Sequence, residues 1–594
     1  MGTMKAKMKA KVQKQNLPSG STNATVNRAG GVAFDIKNPA VKLITMTGGS
    51  FFAEPRYYTA DNCVPKRMDG GEFGKLEERL RINKEDALSI SKSCEELDDV
   101  AQEILATAWK VLKSDHPKDL LSIAHWLREE MNIRLTPQVL LVLASRHEAA
   151  QPFVREYARK VIVRPDEVKT CVMLHKYFFG HKTMKNCLAR GLADAVSKFG
   201  ERGLIKYEGQ GYPQWKDVLC QLHKRKKDYP LTAPVAKYFL DGTVDPEGTP
   251  IAYARRQLTQ CQSFGTKAKS LVSKSLANWE VVLTQFGKTP EAKKEVWQYL
   301  IKENLVGYMA MLRNLRNLLQ AGVDKKTIDL VYDKLSDREQ VLRSRQLPFR
   351  FAMAYEILHG GMGNHGGFWG ESNHAPVNNS HQNRILEAIE NAVDHACENV
   401  PEIPGTTVLF ADNSGSMDQT VSERSKVSCR LAANILCAMA AKRGGEAIVC
   451  AFATDVAPVT WTKNTTAIEI SKRLSKADTK GLSTNGHLCI KWMERQKIKP
   501  DRVILLSDMQ CWTDGYGYNG NVADAWHRFA KSNKQSWLHC VNLNGYGDSV
   551  VEETKDKVNL VGGFSEKIAQ MLLTTEGVIA EEALPTLDQI RAKW

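Results

Sequence analysis

Near Pro404 the apolar residues of this 594-residue chain change period, so no single architecture can accommodate the whole sequence. From about 75 to 360 they recur at three and four positions, as in Leu120, Leu121, Ile123, Ala124 and Leu127, with short Gly, Pro or Asp breaks. This spacing predicts amphipathic helices over 119–131, 136–146, 150–162, 166–178, 183–199, 214–224 and 232–240, and more between 266 and 358. After Pro404, short apolar runs alternate with helical patterns. Strands are expected at Thr407–Ala411, Ala447–Phe452, Val503–Ser507 and Trp537–Leu543, and helices over 420–442, 485–496, 522–533 and 565–573.

Short helices joined by short turns cannot each bury a face alone; stacking them in pairs solves the problem. The first part therefore reads as an irregular HEAT-like helical repeat with no strict sequence period. The second part reads as a doubly wound, mostly parallel α/β sheet with helices on both faces. The expected division is a disordered basic tail over 1–28, the helical repeat over 29–380, and the α/β domain over 381–594. Val41–Tyr58 mixes apolar, Gly and aromatic residues, as an irregular or strand segment would. Gly360–Asn379 reads as a solvated connector, because His359, His365, His374 and His381 show no fixed ligand spacing. A helix over 382–398 follows it.

No run approaches the roughly 18 apolar residues of a membrane span, and the N-terminus lacks the apolar core of a secretory signal. Gly2 is followed by Ala6 where a myristoylation signal needs Ser or Thr. Thirteen scattered cysteines without zinc-ligand spacing point to free thiols. A soluble, cytoplasmic protein without membrane contact is expected. The net charge of +15 is regional: residues 401–594 contribute +1 and residues 1–400 contribute +14. The tail holds Lys5, Lys7, Lys9, Lys11, Lys14 and Arg28 with no acid, which suits either solubility or a nucleic-acid arm.

Two constellations carry chemistry. The strand Val408–Ala411 runs into Asp412-Asn413-Ser414-Gly415-Ser416, a D-x-S-x-S loop at the carboxyl edge of the sheet, where ligands of such folds sit. Asp508 ends another strand at that edge, and Thr484 precedes a helix, with Ser483 competing for its place. Asp412, Ser414, Ser416, Thr484 and Asp508 could offer hard oxygen ligands to one divalent cation, Mg²⁺ above all. The second constellation lies in residues 182–227, which hold eleven basic and four acidic residues, a net of +7. Lys182, Lys185, Arg190, Lys206, Lys216, His223, Lys224, Arg225, Lys226 and Lys227 are the candidate RNA contacts. Tyr177, Phe178, Phe199, Tyr207, Tyr212 and Trp215 lie among them, either as base-stacking faces or as core.

The metal set resembles the metal-ion-dependent adhesion site of von Willebrand factor A domains. That resemblance implies that the hydroxyls ligate directly, that the aspartates often act through water, and that a partner's carboxylate can fill the last position. Most of residues 35–580 resembles the Ro autoantigen (TROVE) family. The resemblance is carried by Gly180–Val196, Met309–Val323 (MAMLRNLRNLLQAGV), Leu347–Tyr355 (LPFRFAMAY), Asp412–Met417 (DNSGSM) and Trp215–Lys224, which places His223 at a position associated with Y RNA. It implies a monomeric helical ring closed by the A domain. Y RNA would bind the basic outer surface and single-stranded ends of misfolded RNA the central hole, with an exoribonuclease as a further partner. Enzymatic activity is not expected: there is no P-loop, and only Asp412 and Asp508, with Asp514 distant, could serve a two-metal nuclease. The alternative is a metal-dependent protein adaptor that does not act on RNA.

Overall fold

The computed structural model describes residues 24–26, 32–48, 99–179, 183–209, 213–222, 233–344, 348–359, 380–420, 427–511, 521–543, 548–551, 557–562, 568–578 and 587–594. Strands β1 (Ala24–Val26) and β2 (Val32–Asp35) precede helix α1 (Pro39–Thr47). There follow α2 (Asp99–Leu112), α3 (Asp119–Glu129), α4 (Leu135–Ala144), α5 (Gln151–Val161), α6 (Pro165–Phe179), α7 (Asn186–Val196), α8 (Glu201–Ile205) and α9 (Trp215–Leu222). The helical series continues with α10 (Ala233–Asp241), α11 (Pro250–Thr259), α12 (Thr266–Lys274), α13 (Trp279–Phe286), α14 (Pro290–Lys302), α15 (Tyr308–Gln320), α16 (Lys325–Ser336), α17 (Arg338–Ser344), α18 (Pro348–His359) and α19 (Gln382–Cys397). The α/β part is β3 (Ile403–Asp412), α20 (Cys429–Arg443), β4 (Gly444–Phe452), β5 (Val456–Val459), α21 (Ala467–Ser475), α22 (His487–Arg495), β6 (Arg502–Ser507), α23 (Val522–Ser532), β7 (Trp537–Asn542), β8 (Asp548–Ser549), β9 (Val558–Gly562) and α24 (Ile568–Thr575). Helix α25 (Leu587–Lys593) comes last.

These elements form two compact units. One comprises residues 55–311, 317–330 and 586–594, the other 1–54, 312–316 and 331–585. The first is all helical among its described residues; α4 is buried nearly all round, whereas the outer helices bury one face. In α5, for example, Val154, Tyr157, Ala158 and Val161 are buried while Arg155, Glu156 and Arg159 face out. Helix α25 belongs to this unit: Arg591 makes a forked pair with Asp119 of α3 at 2.9 and 2.7 Å, and the Tyr157 hydroxyl donates to the carbonyl of Trp594 at 2.6 Å.

The second unit is built on a six-stranded sheet of order β5-β4-β3-β6-β7-β9, parallel except for the edge strand β5. The helix-then-sheet fold class is as expected. The compact units do not part at 380, however. Helices α18 and α19 pack with the sheet's own helices: Lys472 of α21 donates to the Tyr355 hydroxyl at 2.9 Å, and Lys442 of α20 pairs with Asp394 at 3.0 Å.

Three expectations need correction. Within the expected tail, Ala24–Val26 pairs with Val32–Asp35, which in turn pairs with β8; residues 1–23 lie outside the described residues. The segment from Val41 begins inside a helix and not a strand. Asn38 accepts from the backbone N–H groups of Ala40 and Val41 at 2.9 and 3.3 Å, Pro39 opens α1, and Leu43, Ile44 and Met46 are buried. Helix α20 starts nine residues later than expected from 420, because the chain first makes a 3₁₀ turn over Gly415–Asp418 and Ser428 then caps the helix. The 365–374 histidines lie outside the described residues. Among the described residues no helix is long and apolar enough to cross a membrane, and no two cysteines form a disulfide.

Candidate metal centre and basic surface

Strands β3 and β6 are parallel neighbours in register, Ala411 beside Leu506, so Asp412 and the Ser507–Asp508 turn leave the sheet together. This is the middle of the sheet, where successive crossovers diverge and leave a crevice at the carboxyl edge. Asp412 is fully buried; its Oδ1 accepts from Ser414 N at 2.8 Å and its Oδ2 from Ser507 Oγ at 2.6 Å. The Ser414 and Ser416 hydroxyls lie 3.2 Å apart, and Ser416 bonds in turn to Asp508. Asp508 also accepts from Gln419 Nε2 at 3.2 Å and from Gln510 N at 3.0 Å.

The structure thus links Asp412, Ser414, Ser416 and Asp508 in one cluster. Thr484 sits in the adjoining loop, which is held against the cluster by Gly415 N donating to the carbonyl of Leu482 at 2.9 Å. Of its two competing hydroxyls, Thr484 is buried and Ser483 is exposed.

The electrostatics of the cluster fit a cation. Burial, with Asp508 nearby, pushes the Asp412 carboxyl up to about 7, and burial raises Asp508 as well. Two carboxylates buried side by side repel each other and lack solvent, a debt that a bound divalent ion would relieve. Hydroxyls beside carboxylates form an all-oxygen donor set, suited to Mg²⁺ and not to zinc. Among the described residues no group of three or more His, Cys, Asp or Glu offers a competing site.

The basic candidates are only partly placed. Lys185, Lys206 and Lys216 are exposed and Arg190 is half-exposed, while Lys182, His223, Lys224, Arg225, Lys226 and Lys227 lie outside the described residues. Several of the aromatics among them are structural. Trp215 is buried with its Nε1 donating to the carbonyl of Leu204 at 3.0 Å, Phe178 is buried, and Tyr207 lies against the Arg164 guanidinium.

Residues 255–360 match the TROVE domain family and residues 407–572 the Ro60 vWA domain family. Over these two stretches the chain is similar to the Ro/TROVE proteins. Telomerase protein component 1 of Mus musculus is 22% identical over 332 residues, 46% of this chain and 12% of that protein. RNA-binding protein RO60 of Caenorhabditis elegans is 25% identical over 303 residues, 49% of this chain and 44% of that protein. The alignments therefore span less than half the length of these curated relatives. The crystal structure of the Deinococcus radiodurans Ro (RSR) protein shares the fold, with a TM-score of 0.55 at 19% identity over 91% of this chain and 99% of that one.

The D-x-S-x-S loop of this chain has supports that sequence reasoning missed. Arg430, on α20, donates from Nη2 to the carbonyl of Ser414 at 3.1 Å and pairs with Asp418 at 3.0 Å. Asn413 donates to the carbonyl of Leu474 at 2.8 Å. No sequence spacing signals Arg430, because its partner is a backbone carbonyl; Ser507, directly before Asp508, was the more readable neighbour.

Proposed function

We propose that this protein is a non-catalytic RNA-binding scaffold of noncoding-RNA metabolism. Y-type small RNA binds its basic outer surface, single-stranded ends of misfolded RNA enter the central hole of a helical ring, and the complex serves RNA quality control or degradation in the cytoplasm. The observation that carries this reading is the TROVE match over 255–360 joined to a Ro60-type A domain over 407–572. The +14 charge of residues 1–400 supports it, as do the exposed Lys185, Lys206 and Lys216. An exoribonuclease is a fitting protein partner. In the A domain, Ser414, Ser416 and Thr484 would hold Mg²⁺ with Asp412 and Asp508 at its second rank; the ion would neutralise the buried carboxylates and present one open position to a partner's oxygen.

The test is binding of the purified full chain to a structured RNA with and without a single-stranded tail, beside a His223→Ala, Lys224→Ala, Arg225→Ala variant. Tight binding of the tailed RNA that the triple variant weakens supports the reading. Absence of binding to both RNAs at low salt removes it. A second reading, a metal-dependent protein adaptor, draws on one observation: Leu482 is 64% exposed on the loop beside the metal cluster, an apolar side chain where a protein partner could rest. Mg²⁺-dependent capture of an acidic peptide with no RNA binding would favour it.

A further inference from the structure

Residues 266–326 hold eleven Lys+Arg against five Asp+Glu, a net of +6, close to the +7 of residues 182–227. In the sequence this charge is dispersed over sixty positions and attracts no notice. Packing gathers it. Lys269 of α12 pairs with Glu295 of α14 at 3.0 Å, and the Tyr299 hydroxyl of α14 donates to the carbonyl of Lys269 at 3.1 Å. Gln298 of α14 donates to Asp324, the residue before α16, at 2.9 Å. Helices α12 and α14 and the first half of α16, residues 325–330, are therefore neighbours within one unit. Packed helices stand about 8–10 Å apart, so three in a row make a face of about 20 Å.

Lys267 and Lys274 on α12, Lys293 and Lys294 on α14, and Lys325 and Lys326 on α16 are all exposed. None of the six makes an ion pair among the described residues, whereas Lys269, between them, does. Lys294 and Lys326 converge on Asp324. Thr327 hydrogen bonds hold that carboxyl below its usual range, and the two lysines, from different helices, lower it further. Helix α16 has no acid in its first turn; Asp324 caps it by accepting from Thr327 N at 2.8 Å, and Lys325-Lys326 follow at the positive end of its dipole. Apart from Asp324, which attracts Lys294 and Lys326, these lysines have no ion-pair partner among the described residues, and a ligand of opposite charge would complement them.

We propose that the α12–α14–α16 face is a second RNA-binding surface, on which these six lysines take the phosphodiester backbone, distinct from the surface of residues 182–227. The inference rests on the RNA-binding reading above. Lysines without base-edge partners read charge and not sequence, so this surface holds RNA whose identity is read elsewhere.

The experiment compares the full chain with a Lys293→Glu, Lys294→Glu, Lys325→Glu, Lys326→Glu variant and with the same four lysines changed to Gln. Each is titrated by fluorescence anisotropy against a structured RNA carrying a single-stranded tail, across a salt series. The Gln variant should lose affinity at least about tenfold, and its slope of log K on log salt should fall by about 3, four contacts at roughly 0.7–0.9 each. The Glu variant should lose more. Melting temperatures should not move, since all four side chains are exposed. Unchanged affinity and slope in both variants, with the unsubstituted protein binding RNA, would overturn this surface alone; failure of the unsubstituted protein to bind would overturn it together with the RNA-binding reading.

Discussion

Asp412 and His175 are buried groups whose titration acts in opposite senses. The Asp412 carboxyl is raised to about 7 by burial and by Asp508, so the fold prefers it protonated. The metal-free A domain should therefore gain stability from this group as pH falls below about 7. Asp412→Asn should raise the melting temperature in chelator at pH 8 by a few degrees and abolish the rise that Mg²⁺ or Mn²⁺ gives the unsubstituted protein. A variant that still responds to metal would remove Asp412 from the site. Arg430→Met should weaken metal binding about tenfold by calorimetry, because it frees the Ser414 carbonyl that fixes the loop.

His175 has the contrary sign. Arg146 Nη2 lies 3.2 Å from His175 Nε2, and a guanidinium can only donate, so that nitrogen accepts and the ring is neutral. Burial first, then Arg146 and Lys176, bring His175 from 6.5 down to about 4. The unfolded chain binds the proton more tightly. The helical unit should thus lose up to about 3 kcal/mol as pH falls from 6.5 to about 4. Urea denaturation across that window should show the loss, and His175→Gln should flatten it.

At the level of elements, Arg502, Glu576 and His539 join the far end of the sheet to the residues after α24. Arg502 forks onto Glu576 at 2.8 and 2.7 Å, and His539 Nε2 lies 2.7 Å from the same carboxylate. Burial opposes the charge on Glu576, but His539 and Arg502 outweigh it and hold the carboxyl below its usual range. Glu576→Gln leaves Arg502 buried without its counter-charge, and should cost about 3–5 kcal/mol in denaturant unfolding; a loss below about 1 kcal/mol would mean that water replaces the pair.

The core elements of both units were legible because periodicity reports burial. The predicted helices over 119–131 and 522–533 and the strand Val503–Ser507 lie within two residues of α3, α23 and β6. What escaped was set by capping or by partners distant in sequence. Asn38 makes a helix of a segment with mixed periodicity, and β1 depends on β2 for its pairing. The hydroxyl and carboxylate cluster was readable from Asp412, Ser414 and Ser416 because a local motif carries it. The α12–α14–α16 lysines were not, since only packing brings them together.

On the scale of the whole chain, its last helix completes a unit whose other helices begin hundreds of residues earlier. Ile590 and Trp594 are buried, and Arg591 grips Asp119, 472 positions away. Trp594→Ala should cost about 3–5 kcal/mol and should act on the unfolding of the helical unit. Arg591→Ala, one-third exposed, should cost about 1 kcal/mol or less. Hydrogen exchange in α3 and α5 distinguishes the two, rising sharply only for the first. The distribution of charge points the same way as the family match: an almost neutral A domain beside a strongly basic helical stretch assigns long-range attraction of phosphate to the latter. The most direct test is the salt dependence of RNA binding by the intact protein. Tight binding at low salt whose log K falls steeply and linearly with log salt, at a slope of several units, is the expected result; binding that is absent at low salt, or indifferent to salt, would contradict an RNA-binding scaffold.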